Sequence, residues 1–166
     1  MATKFQDKYV FAQLTAFLNR TQFNNYVRKY DGNRYVKHFT CWNQLLAMMF
    51  GQLSNRESLR DLIVALEAHR AKQYHLGLEH NTIVKATLAY ANQTRDYRIF
   101  VSVAIITYCL VAIVHHDMQL KRSTYEVLQI LSISLTDKTH LRDLFDKTIF
   151  NDVKLDYPLF KDYLIN

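Results

Sequence analysis

Thr40-Cys41-Trp42-Asn43-Gln44-Leu45-Leu46-Ala47-Met48-Met49-Phe50-Gly51-Gln52-Leu53 is the stretch whose reading decides the fold. It is rich in Leu, Met and Phe, and the threonine ahead of it is a good N-cap, so a helix is predicted over Cys41–Leu53. Immediately after it, Ser54-Asn55-Arg56-Glu57 fits the S-x-x-E capping box, in which serine and glutamate satisfy each other's free backbone N–H groups. That box predicts a second helix to about His69, with Leu59, Leu62, Ile63 and Leu66 as its apolar stripe and Arg56, Arg60 and Glu67 facing outward. Ala47 and Gly51 stand four apart, as the small residue and turn glycine of a helix-turn-helix do. Glu57 and Arg60, however, fall where the second helix of that motif buries apolar groups. An antiparallel helical hairpin is the preferred reading, and a looser variant offering Arg56 and Arg60 to phosphates stays open.

Working outward, Lys8–Leu18 carries Val10, Phe11, Leu14, Phe17 and Leu18 at helical spacing. Gln22–Tyr30 predicts a short helix capped by Thr21, with Phe23, Tyr26, Val27 and Tyr30 on its buried side, and Asp31-Gly32-Asn33 breaks the chain. Downstream, a loop near Tyr74–His80 leads to a helix around Thr82–Asn92. Ile99–Val114 is apolar except for Ser102 and Thr107, and at 16 residues it is shorter than the roughly 20 that a membrane span needs. It is predicted to be a helix buried on all sides. Ser123-Thr124-Tyr125-Glu126 is another capping box, opening a helix through about Leu131, and Thr139–Asp146 predicts a last short one.

Three Gly and one Pro among 166 residues leave little material for hairpins, so the fold class expected is all-α: a compact bundle of about six to eight helices with the 99–114 helix central. Residues 1–100 would form a basic helical N-terminal domain, and residues 101–166 a helical C-terminal part packing on it or sharing one joint domain. Cys41 and Cys109 form no CxxC pattern and read as reduced core residues. Met1 to Lys8 is polar and mixed in charge, so no secretory leader is expected, and a cytoplasmic, bacterial setting is inferred.

The net charge of +6 is unevenly distributed. Residues 1–100 hold 14 Lys+Arg against 7 Asp+Glu, whereas residues 101–166 hold 7 against 8. The basic first part is compatible with a nucleic-acid-binding module. Within it, Tyr26–His38 interleaves Arg28, Lys29, Arg34, Lys37 and His38 with Tyr26, Tyr30 and Tyr35. Cations of this kind neutralise phosphates, and tyrosines bond phosphate or stack on bases. The same residues would serve equally as an ordinary solvated surface over half-buried tyrosines. Histidines 69, 75, 80, 115 and 116 show no metal-ligand spacing, and His115 and His116 suit a helix C-terminus. No nucleophile elbow, P-loop or dinucleotide fingerprint is present, and Asp143 and Asp146 read as solvated faces. No catalytic residue, metal or cofactor is assigned.

The run from Arg34 through FTCWNQLL and FGQLSNRESLRDL to His69, extended back to about Phe11 and forward to Phe100, resembles the N-terminal domain of transposases of the insertion-sequence-four family. A second stretch, from Ala104 to about Val153, is similar to the C-terminal end of the same family. Between such blocks the family carries a ribonuclease-H-like domain whose DDE acidic triad holds two divalent metals. Here the blocks join within a few residues near Phe100–Val103. The family's Y-x2-R-x3-E-x6-K signature is absent too, since no tyrosine is followed by arginine at the third position. The resemblance therefore implies an internally deleted transposase that is not an enzyme, with Arg28, Lys29, Arg34, Lys37, Arg56 and Arg60 as candidate phosphate contacts. It implies as partners double-stranded DNA such as element ends, a second copy of the chain and an intact transposase. A helical oligomerisation module without DNA binding and a functionless folded remnant are the alternatives.

Overall fold

The structure, a computed structural model, describes residues 7–78, 82–99 and 103–147. Among these residues it is all-α, as the scarcity of glycine and proline predicts. The helices are α1 (Val10–Thr15), α2 (Arg20–Lys29), α3 (Cys41–Leu53), α4 (Leu59–Ala68), α5 (Lys85–Thr94), α6 (Val103–Asp117), α7 (Thr124–Ser134) and α8 (Leu141–Lys147), with 3-10 segments at Arg70–Leu76 and Tyr97–Ile99. Most of the proposed Phe100–Val103 junction, residues 79–81 at and just past the end of the predicted Tyr74–His80 loop, and everything from 148 onward lie outside the described residues.

The decisive helix forms as its sequence predicts. The Asn43 N–H donates to Thr40 Oγ1 at 3.3 Å, and α3 runs over Cys41–Leu53. Ten of its residues are buried, and it packs against α2, α4, α6 and α7. The hub of the fold is therefore α3. One core cluster runs from Val10 and Phe11 through Leu45, Phe50 and Leu66 to Leu131 and Phe145, so both halves of the sequence contribute to it. Backbone bonds stitch the halves as well: Val10 N–H donates to Asp137 O at 2.9 Å and Phe11 N–H to Leu135 O at 3.0 Å. Buried Gln13 donates to the Thr139 carbonyl at 2.8 Å and accepts from Leu141 N–H at 3.0 Å, which pairs polar groups that burial would otherwise orphan.

Several boundaries differ from the sequence reading, each for a physical reason. Helix α4 starts at Leu59, capped by Ser58, whose hydroxyl accepts from Asp61 N–H at 3.1 Å; the predicted box at Ser54 does not form. Ser54 instead ends α3 and donates to Phe50 O at 2.6 Å. Asn55 follows with φ 53°, while Asn55 N–H reaches Gln52 O and Arg56 N–H reaches Gly51 O. That is a Schellman closure with asparagine in the left-handed position. Gly51 is thus helical and is not a turn residue. A Cβ there would lie 3.2 Å from Leu62, so it marks the close approach of α3 and α4. With Arg60 exposed and the turn built on Asn55, the helix-turn-helix pattern is not met. Asn19 rather than Thr21 caps α2, accepting from Gln22 N–H at 3.0 Å. Gln73 donates to the Leu66 carbonyl at 2.8 Å and folds Arg70–Leu76 into a 3-10 segment where a loop was expected from Tyr74.

The expectation of a wholly buried α6 is corrected. Thr107, Leu110, Val111 and Val114 face the core, but Tyr108 is 57% and Ile113 48% exposed. Cys109, expected in the core, is exposed, whereas Cys41 is buried, and both are free thiols. Helices α3 and α7 cover only part of a helix that is apolar around its whole circumference. The Ser123 box does form, with Ser123 N–H donating to Glu126 Oε2 at 2.7 Å. The Ser123 backbone and hydroxyl hold the Glu126 carboxyl below the ordinary glutamate range. His115 and His116 lie in the last turn of α6, as expected. No helix among the described residues is long and apolar enough to cross a membrane.

Candidate nucleic-acid interface

The interleaved segment Tyr26–His38 becomes the C-terminal half of α2 and the turn that enters α3. Tyr30, Asp31 and Gly32 close α2 by the same Schellman pattern: Asp31 N–H reaches Arg28 O at 3.2 Å and Gly32 N–H reaches Val27 O at 2.9 Å. The left-handed position falls to Asp31, φ 50°, and not to the glycine beside it. Gly32 is needed for another reason. A Cβ on it would lie 2.4 Å from Ile99 Cδ1 and 2.8 Å from Cys41 Sγ, both buried, so only glycine lets the turn sit against them. Cys41 donates its thiol proton to Gly32 O at 3.1 Å, and burial raises its pKa although the nearby Arg95 guanidinium pulls the other way.

Asn33 locks the turn onto the hub, its Oδ1 accepting from Cys41 N–H at 2.8 Å at the start of α3. Beyond it, Tyr35 has φ 60° and is 89% exposed. A bulky residue in the left-handed region is uncommon and persists where its surroundings impose it. Arg34 stands over its ring at 5.1 Å. Lys29 and Arg98 lie 5.4 and 4.4 Å from the Tyr30 ring centroid. Arg98 also clamps Asp96, Nη2 to Oδ2 at 2.6 Å, and its hydrogen bonds bring the Asp96 pKa down to about 2.

Two clefts flank the turn and share Asp31 and Arg34. The first, about 530 Å³, has Arg20, Arg28, Arg34, Asn24, Asn33 and Trp42 in its wall, with Arg20 stacked on Trp42 at 5.2 Å. The second, about 670 Å³, lies between the turn and α5 and is walled by Tyr30, Tyr35, Lys37, Thr87, Tyr90 and Arg95. Arg95 is committed to structure: it donates to Gln44 Oε1 at 2.5 Å and to the Phe39 carbonyl, while Gln44 donates to Asn92 at 2.5 Å. This network ties the end of α5 to α3, and burial lowers the Arg95 pKa.

All six predicted contacts are exposed, and none enters an ion pair with another described residue. They do not form one group. Arg28, Lys29, Arg34 and Lys37 gather at the N-terminal end of α3. Arg56 and Arg60 lie past its C-terminal end, thirteen residues on, which is about 20 Å at ~1.5 Å per residue. There Arg56 is close enough to His69 to help lower its pKa, after burial and Lys72. Arg20, Trp42 and Tyr90 complete the clefts and were missed in the sequence. Arg20, Asn24 and Arg28 stand four apart on α2, a signal hidden by placing the cap at Thr21.

Residues 6–79 match a family model described as Domain of unknown function (DUF4372). This domain is found in transposase-related proteins. The match takes in α1 to α4, both ends of α3 and the first cleft, but not α5, which closes the second. No curated protein and no solved structure matches the chain.

Proposed function

We propose that this chain is a transposase-derived DNA-binding protein that lacks the catalytic core and does not carry out transposition. The observation that carries this reading is the turn between α2 and α3, where Arg28, Lys29, Arg34 and Lys37 stand exposed with no acidic partner among the described residues. Unpaired cations gathered on one ridge raise the local potential and attract a polyanion, and each phosphate neutralised releases condensed counterions. The match of residues 6–79 to a domain of transposase-related proteins supports the derivation. Arg56 and Arg60 form an outlying second contact. A duplex touching both ends of α3 would span about six base pairs at ~3.4 Å each.

Fluorescence anisotropy with duplex DNA, titrated across salt, tests the reading. Salt-sensitive binding that favours the ends of the related element over scrambled duplex is expected. Absence of binding at low salt would remove it, and divalent-metal-dependent DNA cleavage abolished by EDTA would overturn its non-catalytic part.

A second reading, an oligomerisation module, draws on α6 and α7. Tyr108, Cys109 and Ile113 form one exposed stripe on α6, and Tyr125 and Ile133, 47% and 71% exposed, form another on α7. A second copy of the chain is the occupant this reading names. Light scattering that finds only monomer at tens of micromolar, an order-of-magnitude choice, would count against it.

A further inference from the structure

We propose that the second cleft, between the Tyr30–Tyr35 turn and α5, receives unpaired nucleobases of single-stranded DNA. The inference rests on reading this surface as a nucleic-acid interface and adds which form of the polymer the cleft selects. Its volume of about 670 Å³ falls within the range of roughly 300–1,000 Å³ typical of sites for small organic groups.

The chemistry of its walls separates a base from a phosphate. Tyr35 and Tyr90 are 89% and 68% exposed, and no ring or cation among the described residues is recorded against Tyr90. A tyrosine hydroxyl can bond a phosphate, but its ring face stacks on the flat face of a base. A duplex hides those faces in its own stack and offers edges and backbone, whereas a single strand can splay a base into a cleft. Asp31 lines the same space and would repel a phosphate, while its carboxylate is an acceptor for the exocyclic amino group of cytosine or adenine. The other carboxylate in the wall, Asp96, is already held by Arg98. Lys37 and Arg34 stand at the same wall to hold the backbone that carries the base. Thr87, Tyr90 and Thr94 share one face of α5. Thr94 donates its hydroxyl proton to the Tyr90 carbonyl at 2.8 Å, which leaves its oxygen lone pairs as acceptors. Tyr35 sits in the left-handed region with Arg34 over its ring at 5.1 Å, and at 89% exposure it leaves most of that ring open to an external partner.

The experiment compares a single-stranded oligonucleotide, carrying a fluorescent purine analogue that is quenched on stacking, with the same sequence as duplex. The full chain and its Tyr35→Ala, Tyr90→Ala and Tyr90→Phe variants are titrated with both. Binding of the single strand with quenching is expected. Each alanine variant should weaken single-strand binding roughly tenfold and duplex binding much less, with Tyr90→Phe retaining the wild-type behaviour. Both tyrosines are exposed, so the variants should keep the wild-type circular dichroism. Salt-dependent duplex binding without single-strand quenching overturns this inference and leaves the DNA-binding reading standing. Quenched single-strand binding without duplex binding upholds this inference and overturns only the duplex part of the DNA-binding reading. Equal losses on both substrates, or none, also overturn it.

Discussion

The two ends of α3 carry similar charge and differ in almost everything else. At its N-terminal end, Arg28, Lys29, Arg34 and Lys37 surround tyrosines, Asn33 pins the turn to the helix, and clefts open on either side. At its C-terminal end, Arg56 and Arg60 flank a polar turn closed on Asn55, beside the partly buried His69. Both turns use the same Schellman device, so local backbone chemistry does not distinguish them. What differs is the neighbourhood that tertiary packing brings: α5 and the Tyr97–Ile99 segment stand against the first turn, while the second leads into α4, whose end brings His69 near the charge of Arg56. Positive charge alone therefore does not define a site here. Charge held beside rings on a fixed backbone does.

The largest expected effect comes from breaking the first end at Gly32. Gly32→Val forces methyl groups into the buried Ile99 and Cys41 side chains, and should cost about 2 kcal/mol in urea unfolding. A midpoint unchanged from wild type would mean that the turn is not locked against the hub. Next comes a direct contest between the ends. Arg34→Ala with Lys37→Ala should weaken duplex binding roughly tenfold and reduce its salt slope by about 2, whereas Arg56→Ala with Arg60→Ala should do less. An equal or larger loss from the second pair would move the interface to the other end of α3.

A smaller effect tests how the second end is capped. Ser58→Ala should cost about 1 kcal/mol, because the Asp61 N–H loses its acceptor. Glu57→Ala, which would remove the reciprocal bond of the Ser54 box had it formed, should stay within about 0.5 kcal/mol. The smallest effect is electrostatic and belongs to His69. Burial, Lys72 and Arg56 lower its folded-state pKa, so on acidification the unfolded chain takes up the proton first. Stability should therefore fall as pH drops below the unfolded value of about 6.5. An NMR titration should place the His69 pKa below that value and find it raised in Arg56→Ala. A phosphate seated on Arg56 would raise it in the same way, which makes His69 a reporter of DNA at this end.

Much of the fold was legible because its determinants are local. Thr40 caps α3 through a bond three residues away, and Ser123 and Glu126 satisfy each other across one turn. The core stripe of α1, Val10, Phe11 and Leu14, also follows from helical spacing. The candidate site was legible only as composition. The segment Tyr26–His38 named its cations and tyrosines, but Arg20, Trp42 and Tyr90 come from elsewhere in the chain. Ser54 and Ser58 each begin an S-x-x-acid pattern in SNRESLRD, so the pattern could not choose between them. The choice fell to Ser58 because α3 continues to Leu53 and Asn55 closes it, which leaves Ser54 inside the earlier helix end.

By itself the sequence determined that this chain is helical, where its best-capped helix lies and that its charge is concentrated toward the N-terminal part. Those properties depend on residues within a turn or two of one another, or on residues merely counted. Only the tertiary structure decided that α3 is the hub, that α6 keeps an exposed apolar face and that α5 closes a cleft over Tyr35. Each of these depends on which surfaces meet across long sequence separations, as when Gln44 meets Asn92 and Arg95, or Gly32 meets Ile99. A pattern of side chains can say that a helix has an apolar face, but not which neighbour covers it or how much of that face is left open.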